Sequence, residues 1–185
     1  MKKVSVLVIA LFSICFSQNA FSQSKSHVGA SPVEVGSTIL NLGIGVGANY
    51  KGENYNTAFG FKAALEFGLW EAGPGVITLG PEIGSSISTG NYQSYNYDTR
   101  TFIIAARSAW HFGWNVPNLD TYGGFSGGIG FHHYDNGNDP SSSTVIPVFG
   151  VFVGASYFVS PTFGFNAEAG YDITAFQAGV VFKFN

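Results

Sequence analysis

Apolar residues alternate with small or polar residues along most of this sequence, and this period of two restricts the fold more than any other feature. In residues 40–50 the even positions are apolar or aromatic, whereas the odd positions hold only glycine or asparagine. A period of two is typical of a β-strand whose two faces meet different surroundings. The alternation recurs in six further segments, and a seventh segment is apolar on both faces, so we predict eight strands and an all-β chain. The later segments lie at about 59–69, 77–88, 102–112, 121–133, 144–159, 163–171 and 176–184, of which 144–159 is apolar on both faces.

The connections between these segments alternate in length. Tight turns that each contain a proline lie at 71–75, 115–118 and 160–162. Longer connections rich in Asn, Asp, Ser and Tyr lie between them at 51–56, 89–99 and 133–143, and the last connection, near 172–174, is short. Such an alternation is typical of an up-and-down meander whose two ends face different compartments, with the short turns on the periplasmic side.

The distribution of charge over the two strand faces indicates which face is inside. The chain is only 10% charged, whereas soluble domains contain roughly 25% charged residues. The charged residues that lie well inside the segments all share the glycine-rich face, and the opposite face is a continuous series of Phe, Leu, Ile, Val and Ala. A soluble lipocalin-like barrel would have the reverse arrangement, because a water-facing surface cannot carry so large an apolar area. We therefore predict an eight-stranded antiparallel up-and-down transmembrane β-barrel, whose closed sheet pairs every backbone group within the membrane.

The N-terminus has the features of a secretory signal. Lys2 and Lys3 precede an apolar run over residues 4–16, and the small residues Ala20 and Ser22 suit a signal peptidase that cleaves between Ser22 and Gln23. The apolar run is shorter than the ~20 residues of a membrane-spanning helix. We therefore expect a signal peptide over residues 1–22, a flexible periplasmic lead-in over 23–37 and a barrel domain over 38–185.

Composition excludes several functions. A net charge of −3 does not provide the basic surface that nucleic acid binding requires. The single cysteine excludes a disulfide framework and a multi-cysteine metal site. The His- and Asp-containing stretch at 132–139 matches no calcium-binding loop in its spacing, so we interpret it as a polar loop tip. We predict no metal site, no cofactor and no catalytic residue.

The end of the sequence resembles a known family. The segment Phe163–Tyr171 and the closing residues 179–184, together with the signal and the glycine-rich alternation, are similar to the small outer-membrane β-barrel proteins related to the OmpA transmembrane domain. In that family the last strand usually ends in an aromatic residue that the barrel-assembly machinery reads, whereas here Asn185 follows Phe184. The resemblance implies a monomer in the outer membrane of a Gram-negative cell, in contact with outer-membrane lipid and lipopolysaccharide, and with the assembly machinery during insertion.

The charged residues on the inner face form the candidate site. If the 89–99 connection is centred near residue 94, Glu82 faces Arg107, and a turn centred near residue 74 places Glu66 beside Glu82. One guanidinium can bridge two carboxylates, because its planar donors serve both. We therefore predict a buried charge network that plugs the lumen, since an eight-stranded barrel is just wide enough to be filled by side chains. Its members are Lys62, Glu66, Glu82, Arg107 and Glu168.

These features favour a structural or surface-interaction role for the barrel. A narrow channel for ions or small solutes is the alternative, in which the charge network lines a gated pore. A lipid-modifying enzyme is a third possibility, because residues 133–136 resemble the His-x-Ser-Asn segment of outer-membrane lipid A deacylases. In this sequence, however, Asp135 occupies the position where that family needs its nucleophilic serine, which argues against an acyl-transfer site.

Overall fold

The computed structural model describes residues 31–47, 57–92, 95–135 and 142–184, and these residues form eight β-strands. The signal peptide and the cleavage site between Ser22 and Gln23 lie outside the described residues. The described residues contain no helix that is long and apolar enough to cross a membrane. The strands are β1 (Thr38–Val46), β2 (Thr57–Ala72), β3 (Gly75–Tyr92), β4 (Tyr95–Phe112), β5 (Leu119–Asp135), β6 (Ser142–Ser160), β7 (Phe163–Tyr171) and β8 (Phe176–Phe184).

The eight strands form one closed antiparallel sheet in which each strand pairs with its neighbours in sequence. The barrel closes where β1 pairs with β8, in a register that opposes Thr38 to Phe184 and Val46 to Phe176. The connections β2–β3, β4–β5 and β6–β7 lie at the same end as the N-terminal segment, which we call the short-turn end. The predicted all-β, eight-stranded up-and-down barrel is confirmed.

The two faces of the wall are oriented as the alternation predicts. Phe61 and Phe165 point outward and are 53% and 55% exposed, whereas Glu66 and Arg107 point inward and are 0% and 1% exposed. Strand β6 is apolar on both faces because three of its inward residues are also apolar. These inward residues are Val148, Phe152 and Phe158.

Two of the longer connections are shorter in the structure than the sequence predicts. Strands β3 and β4 continue through most of 89–99 and pair as far as Tyr92 opposite Tyr95. Strands β5 and β6 likewise pair as far as Tyr134 opposite Ser142. Beyond an apolar membrane band both faces of a strand can be polar, so the alternation disappears although the hydrogen-bonded ladder continues. Predicting loops over all of 89–99 and 133–143 is therefore wrong.

The described part of the N-terminal lead-in packs against the short-turn end of the barrel. Val33 is buried against Ile39, Phe158 and Val181. The backbone N–H of Gly36 donates to the carbonyl of Gly68 at 2.9 Å. The ammonium of Lys183 donates to the carbonyl of Pro32 at 2.9 Å. Residues 31–37 are therefore packed against the barrel, and predicting them as part of a flexible segment is wrong. The sequence does not show this packing, because an isolated buried valine gives no periodic signal.

Candidate functional site

Arg107 lies at the centre of the lumen and contacts three carboxylates. Its Nε donates to Oε1 of Glu66 at 2.9 Å and its Nη2 donates to Oε2 of Glu168 at 2.7 Å. Its Nη1 donates to Oε2 of Glu82 at 3.2 Å. A guanidinium has five N–H donors in a fixed plane, so one arginine can hold carboxylates from three different strands. These contacts tie β4 to β2, β3 and β7 through side chains.

Lys62 forms the second cationic centre of the lumen. Its ammonium forms ion pairs with Glu168, with Asp172 at 2.7 Å and with Glu82 at 3.6 Å. The structure thus brings all five residues that the sequence singles out into one buried cluster and adds Asp172 to them. Four carboxyl groups share two cations in this cluster, which we call the charge network. Its members are Lys62, Glu66, Glu82, Arg107, Glu168 and Asp172.

The strand register in this region differs from the predicted one. Glu82 pairs with Ala105 and Arg107 with Gly80, so the β3–β4 hairpin is shifted from a direct Glu82–Arg107 pair by two residues. On the other side Glu82 pairs with Ala64. Placing Glu66 directly beside Glu82 is therefore wrong. A shift of two residues keeps every side chain on its own face, so the diagonal contact between Arg107 and Glu82 is still made.

Two aromatic rings support the guanidinium. Arg107 lies over the ring of Phe152 at 3.6 Å from the centroid and near the ring of Tyr122 at 5.6 Å. Both rings are buried and pack edge to face on one another. A desolvated guanidinium is stabilised on an aromatic face by the ring quadrupole. Sequence reasoning missed this role of Phe152, because β6 is apolar on both faces.

The connection between β7 and β8 folds into the lumen. Asp172, Ile173 and Thr174 are all buried, and Ile173 packs against Ile103 and Val148. The sequence predicts a short connection here, and nothing in its composition indicates an inward fold. A polar tip with a single isoleucine resembles any exposed turn.

A chain of polar contacts connects the charge network to the short-turn end. Oε2 of Glu66 accepts a hydrogen bond from Thr78 at 2.5 Å and lies 3.4 Å from Nε2 of His111. Nδ1 of His111 lies 2.8 Å from Asp120, whose other oxygen accepts a hydrogen bond from Ser31 at 2.6 Å. The N-terminal segment is therefore joined to the centre of the lumen through buried side chains.

The histidines of β5 lie apart from the charge network. Nδ1 of His132 lies 3.1 Å from Oγ1 of Thr101, and Nδ1 of His133 lies 2.9 Å from Oγ of Ser143. The remainder of the 132–139 stretch lies partly outside the described residues. Within the part of the chain that the structure describes, no group of three or more His, Cys, Asp or Glu is arranged to hold a metal ion.

No protein-family model and no curated protein sequence matches this chain. Among solved structures it is similar to Ail, the attachment invasion locus protein of Yersinia pestis, with 14% sequence identity and a TM-score of 0.52 over 82% of this chain and 100% of that chain. The N-terminal β-barrel domain of Pseudomonas aeruginosa OprF matches with 15% identity and a TM-score of 0.45, over 82% of this chain and 98% of that chain. Neisserial surface protein A matches with 15% identity and a TM-score of 0.46, over 80% of this chain and 96% of that chain.

The match to Ail extends over the complete length of that barrel, so the two chains share their architecture at low sequence identity. The fold of this chain is that of the small eight-stranded outer-membrane β-barrels, and the resemblance that its sequence predicts is confirmed at the level of the fold.

Proposed function

We propose that this protein is an integral outer-membrane β-barrel with a structural or surface-interaction role and a lumen closed by its charge network. The observation that carries the proposal is the opposite burial of the two wall faces. Ile44, Phe61 and Phe165 are more than half exposed, whereas Glu66 and Glu82 are completely buried. An exposed band of this kind is unstable in water and stable in hydrocarbon. Export through a signal cleaved between Ser22 and Gln23 fits this destination.

Three layers of side chains support a closed lumen. The N-terminal segment, with Val33 and Ser31, occupies the short-turn end. The charge network around Arg107 fills the middle, and Ile173 packs between the walls at the other end. An eight-stranded barrel has an interior that side chains alone can fill, so a lumen packed in three layers is expected to exclude ions.

The length of four strands supports a role outside the membrane. About 9–11 residues are enough for a tilted strand to span a bilayer, and β1, β7 and β8 each have 9 residues. Strands β3–β6 have between 17 and 19 residues, and they continue past the others at the end opposite the N-terminal segment. The projecting part of β3–β6 is the surface that we propose for contacts outside the cell.

A row of residues on the outer face supports contact with lipopolysaccharide and other outer-membrane lipid. Phe102 and Phe131 are neighbours on β4 and β5, as expected for an aromatic girdle at the membrane boundary. Two residues further along the same strands, Arg100 pairs with His133. Arg100 is exposed and lies at the height where phosphate groups of lipid are expected.

We propose that the barrel is a monomer and that its aromatic C-terminal strand β8 is recognised by the assembly machinery.

Planar-bilayer recording on the purified, folded protein tests the closed lumen. We expect no discrete openings from the natural sequence, and openings after Arg107→Ala if that variant stays folded. Folding is checked on gels, where a folded barrel migrates differently before and after boiling. Regular openings from the unchanged protein would overturn the closed lumen and establish the channel.

A narrow channel is the second candidate, and one set of observations favours it. Within the described residues several buried polar atoms of the lumen have no hydrogen-bond partner. These atoms are Oε1 of Glu82, the hydroxyl of Tyr122, Oδ1 of Asn166 and Oε1 of Gln177. Buried polar groups are normally paired with protein or with ordered water, so these atoms are suited to hold water inside the barrel.

An enzyme is the third candidate, and the described side chains give it little support. His133 contacts the hydroxyl of Ser143 on the outer face, but among the described contacts none joins a carboxylate to that imidazole. Inside the barrel, Asp120 lies between Ser31 and His111. Nucleophilic catalysis requires the imidazole to contact the hydroxyl and the carboxylate to orient the imidazole. In the internal group the carboxylate of Asp120, and not the imidazole of His111, contacts the hydroxyl of Ser31.

A further inference from the structure

The turn between β7 and β8 is held inside the barrel by both of its ends. The carbonyl of Ala175 accepts a hydrogen bond from Gly170 at 2.9 Å. The N–H of Ala175 donates to the carbonyls of Val46 and Gly47, at 3.0 and 2.8 Å. These bonds fix the base of the turn to the wall, so residues 172–174 form a short segment that reaches inward from a fixed base.

The wall around this segment is made of glycine where the segment approaches it. A Cβ on Gly60 would lie 2.7 Å from Cγ2 of Thr174, and a Cβ on Gly84 would lie 3.2 Å from Cγ2 of Ile173. A Cβ on Gly150 would lie 3.1 Å from the carboxyl carbon of Asp172. Strands β2, β3 and β6 thus each leave room for one residue of the turn, and the turn fits a space that the wall provides.

An ion pair between Asp172 and Lys62 holds the tip of the turn at the charge network, in addition to the packing of Ile173 against Ile103 and Val148. Oδ2 of Asp172 accepts from the ammonium of Lys62 at 2.7 Å, and its Oδ1 accepts from the N–H of Ile173 at 2.8 Å. Lys62 also pairs with Glu82 and Glu168, whereas the three carboxylates on Arg107 are held without Asp172. Breaking the Asp172–Lys62 pair therefore removes no contact of the guanidinium and no strand pairing.

We propose that residues 172–174 are a lid over the other residues of the charge network, and that the Asp172–Lys62 ion pair is the latch that keeps it closed. The wall and the Arg107 contacts do not depend on the lid. Release of the latch lets the lid swing out from its base at Ala175, and water and small solutes then reach Lys62 and Glu82 from the end where β3–β6 project. The barrel thereby gains a vestibule that opens independently of any pore through the Arg107 layer.

A buried serine beside the latch provides the test. Ser126 is buried, and a Cβ on Gly150 would contact both its hydroxyl and the carboxyl of Asp172. We would replace Ser126 by cysteine in full-length protein that carries Cys15→Ser, fold it in detergent micelles, and measure its rate of reaction with a small cationic thiosulfonate. Asp172→Asn is then added to weaken the latch. Glu71→Gln, an exposed acidic residue outside the lumen, is the matched control.

With the latch intact we expect slow labelling of Ser126→Cys. Asp172→Asn should raise the rate at least about tenfold, because the loss of a buried ion pair shifts an equilibrium by more than one factor of ten, and Glu71→Gln should leave the rate unchanged. Equal rates with and without Asp172→Asn, or fast labelling with the latch intact, would overturn the proposal. If Asp172→Asn does not fold, Ile173→Ser replaces it. Failure of both variants to fold would also overturn the proposal, because the lid would then be part of the wall's fold.

Discussion

Nε of Arg107 donates to Oε1 of Glu66 at 2.9 Å across Gly80, the residue of β3 that pairs with Arg107. A Cβ on Gly80 would collide with the carbonyl of Leu65 and would lie 3.1 Å from Cα of Glu66. The ion pair between β2 and β4 therefore passes over a position of β3 where any side chain would force the strands apart.

We expect Gly80→Ala to lower the free energy of unfolding by about 1–3 kcal/mol, the usual range for overpacking. Gly127→Ala is the matched control, because Gly127 is exposed and a Cβ there meets nothing within 4 Å. Urea unfolding in lipid vesicles measures both variants, and we expect the control to change stability by less than about 0.5 kcal/mol. Equal effects of the two substitutions would contradict the close approach at Gly80.

Removal of a cation from the charge network should cost far more than neutralisation of Glu82, whose shortest contact with a cation is 3.2 Å. Arg107→Ala leaves Glu66, Glu82 and Glu168 buried with Lys62 as the remaining partner, so we expect a loss of about 3–5 kcal/mol. Glu82→Gln has the same shape and relieves the excess of negative charge, so we expect it to change stability by less than about 1 kcal/mol. The midpoint of heat-induced unfolding on gels ranks the two variants. A larger loss for Glu82→Gln would contradict the shared use of two cations by four carboxyl groups.

A positive charge on the outer face should destabilise the folded barrel strongly in the middle of the wall and only weakly at its end. Leu42 lies at the centre of β1 and is 38% exposed, so Leu42→Lys should cost about 2–4 kcal/mol in a bilayer. Val116 is 45% exposed in the β4–β5 turn, where Val116→Lys should cost about 0–1 kcal/mol. Folding equilibria into lipid vesicles provide the two values. Similar costs at both positions would mean that the wall does not meet hydrocarbon.

The N-terminal segment should contribute to stability through one side chain. Val33 is 1% exposed and packs in a cluster with Ile39, Phe158 and Val181, whereas Val35 is 40% exposed. We expect Val33→Ala to cost about 2 kcal/mol through lost burial and a small cavity. Val35→Ala should change little. Urea unfolding distinguishes them, and a neutral Val33→Ala would show that residues 31–37 are not anchored to the barrel.

The sequence predicts the strands and their faces well because the pleat itself imposes the period of two. It predicts the register less well, since register depends on turn geometry that residue types near 74 and 94 do not determine. The error of two residues preserved the faces, which is why Arg107 and Glu82 still meet.

Asp172 and Phe152 could not be predicted for a different reason. Asp172 lies in a turn without periodicity, and its inward direction is set by glycines on strands far away in sequence. Phe152 lies in a strand that is apolar on both faces, so alternation cannot tell which ring faces the lumen. The same limit applies to Val33, whose partners belong to β1, β6 and β8.

The proposed function requires the aromatic face of the wall to meet lipid while the charged face is enclosed. Nitroxide spin labels on single cysteines at Phe61 and Phe165, in protein with Cys15→Ser reconstituted in lipid vesicles, test this sidedness. A third label at Arg100, beyond the aromatic girdle, is the reference. We expect the labels at 61 and 165 to collide readily with oxygen and poorly with a water-soluble nickel complex, and the label at 100 to show the reverse. Ready collision of the labels at 61 and 165 with the nickel complex would contradict this sidedness.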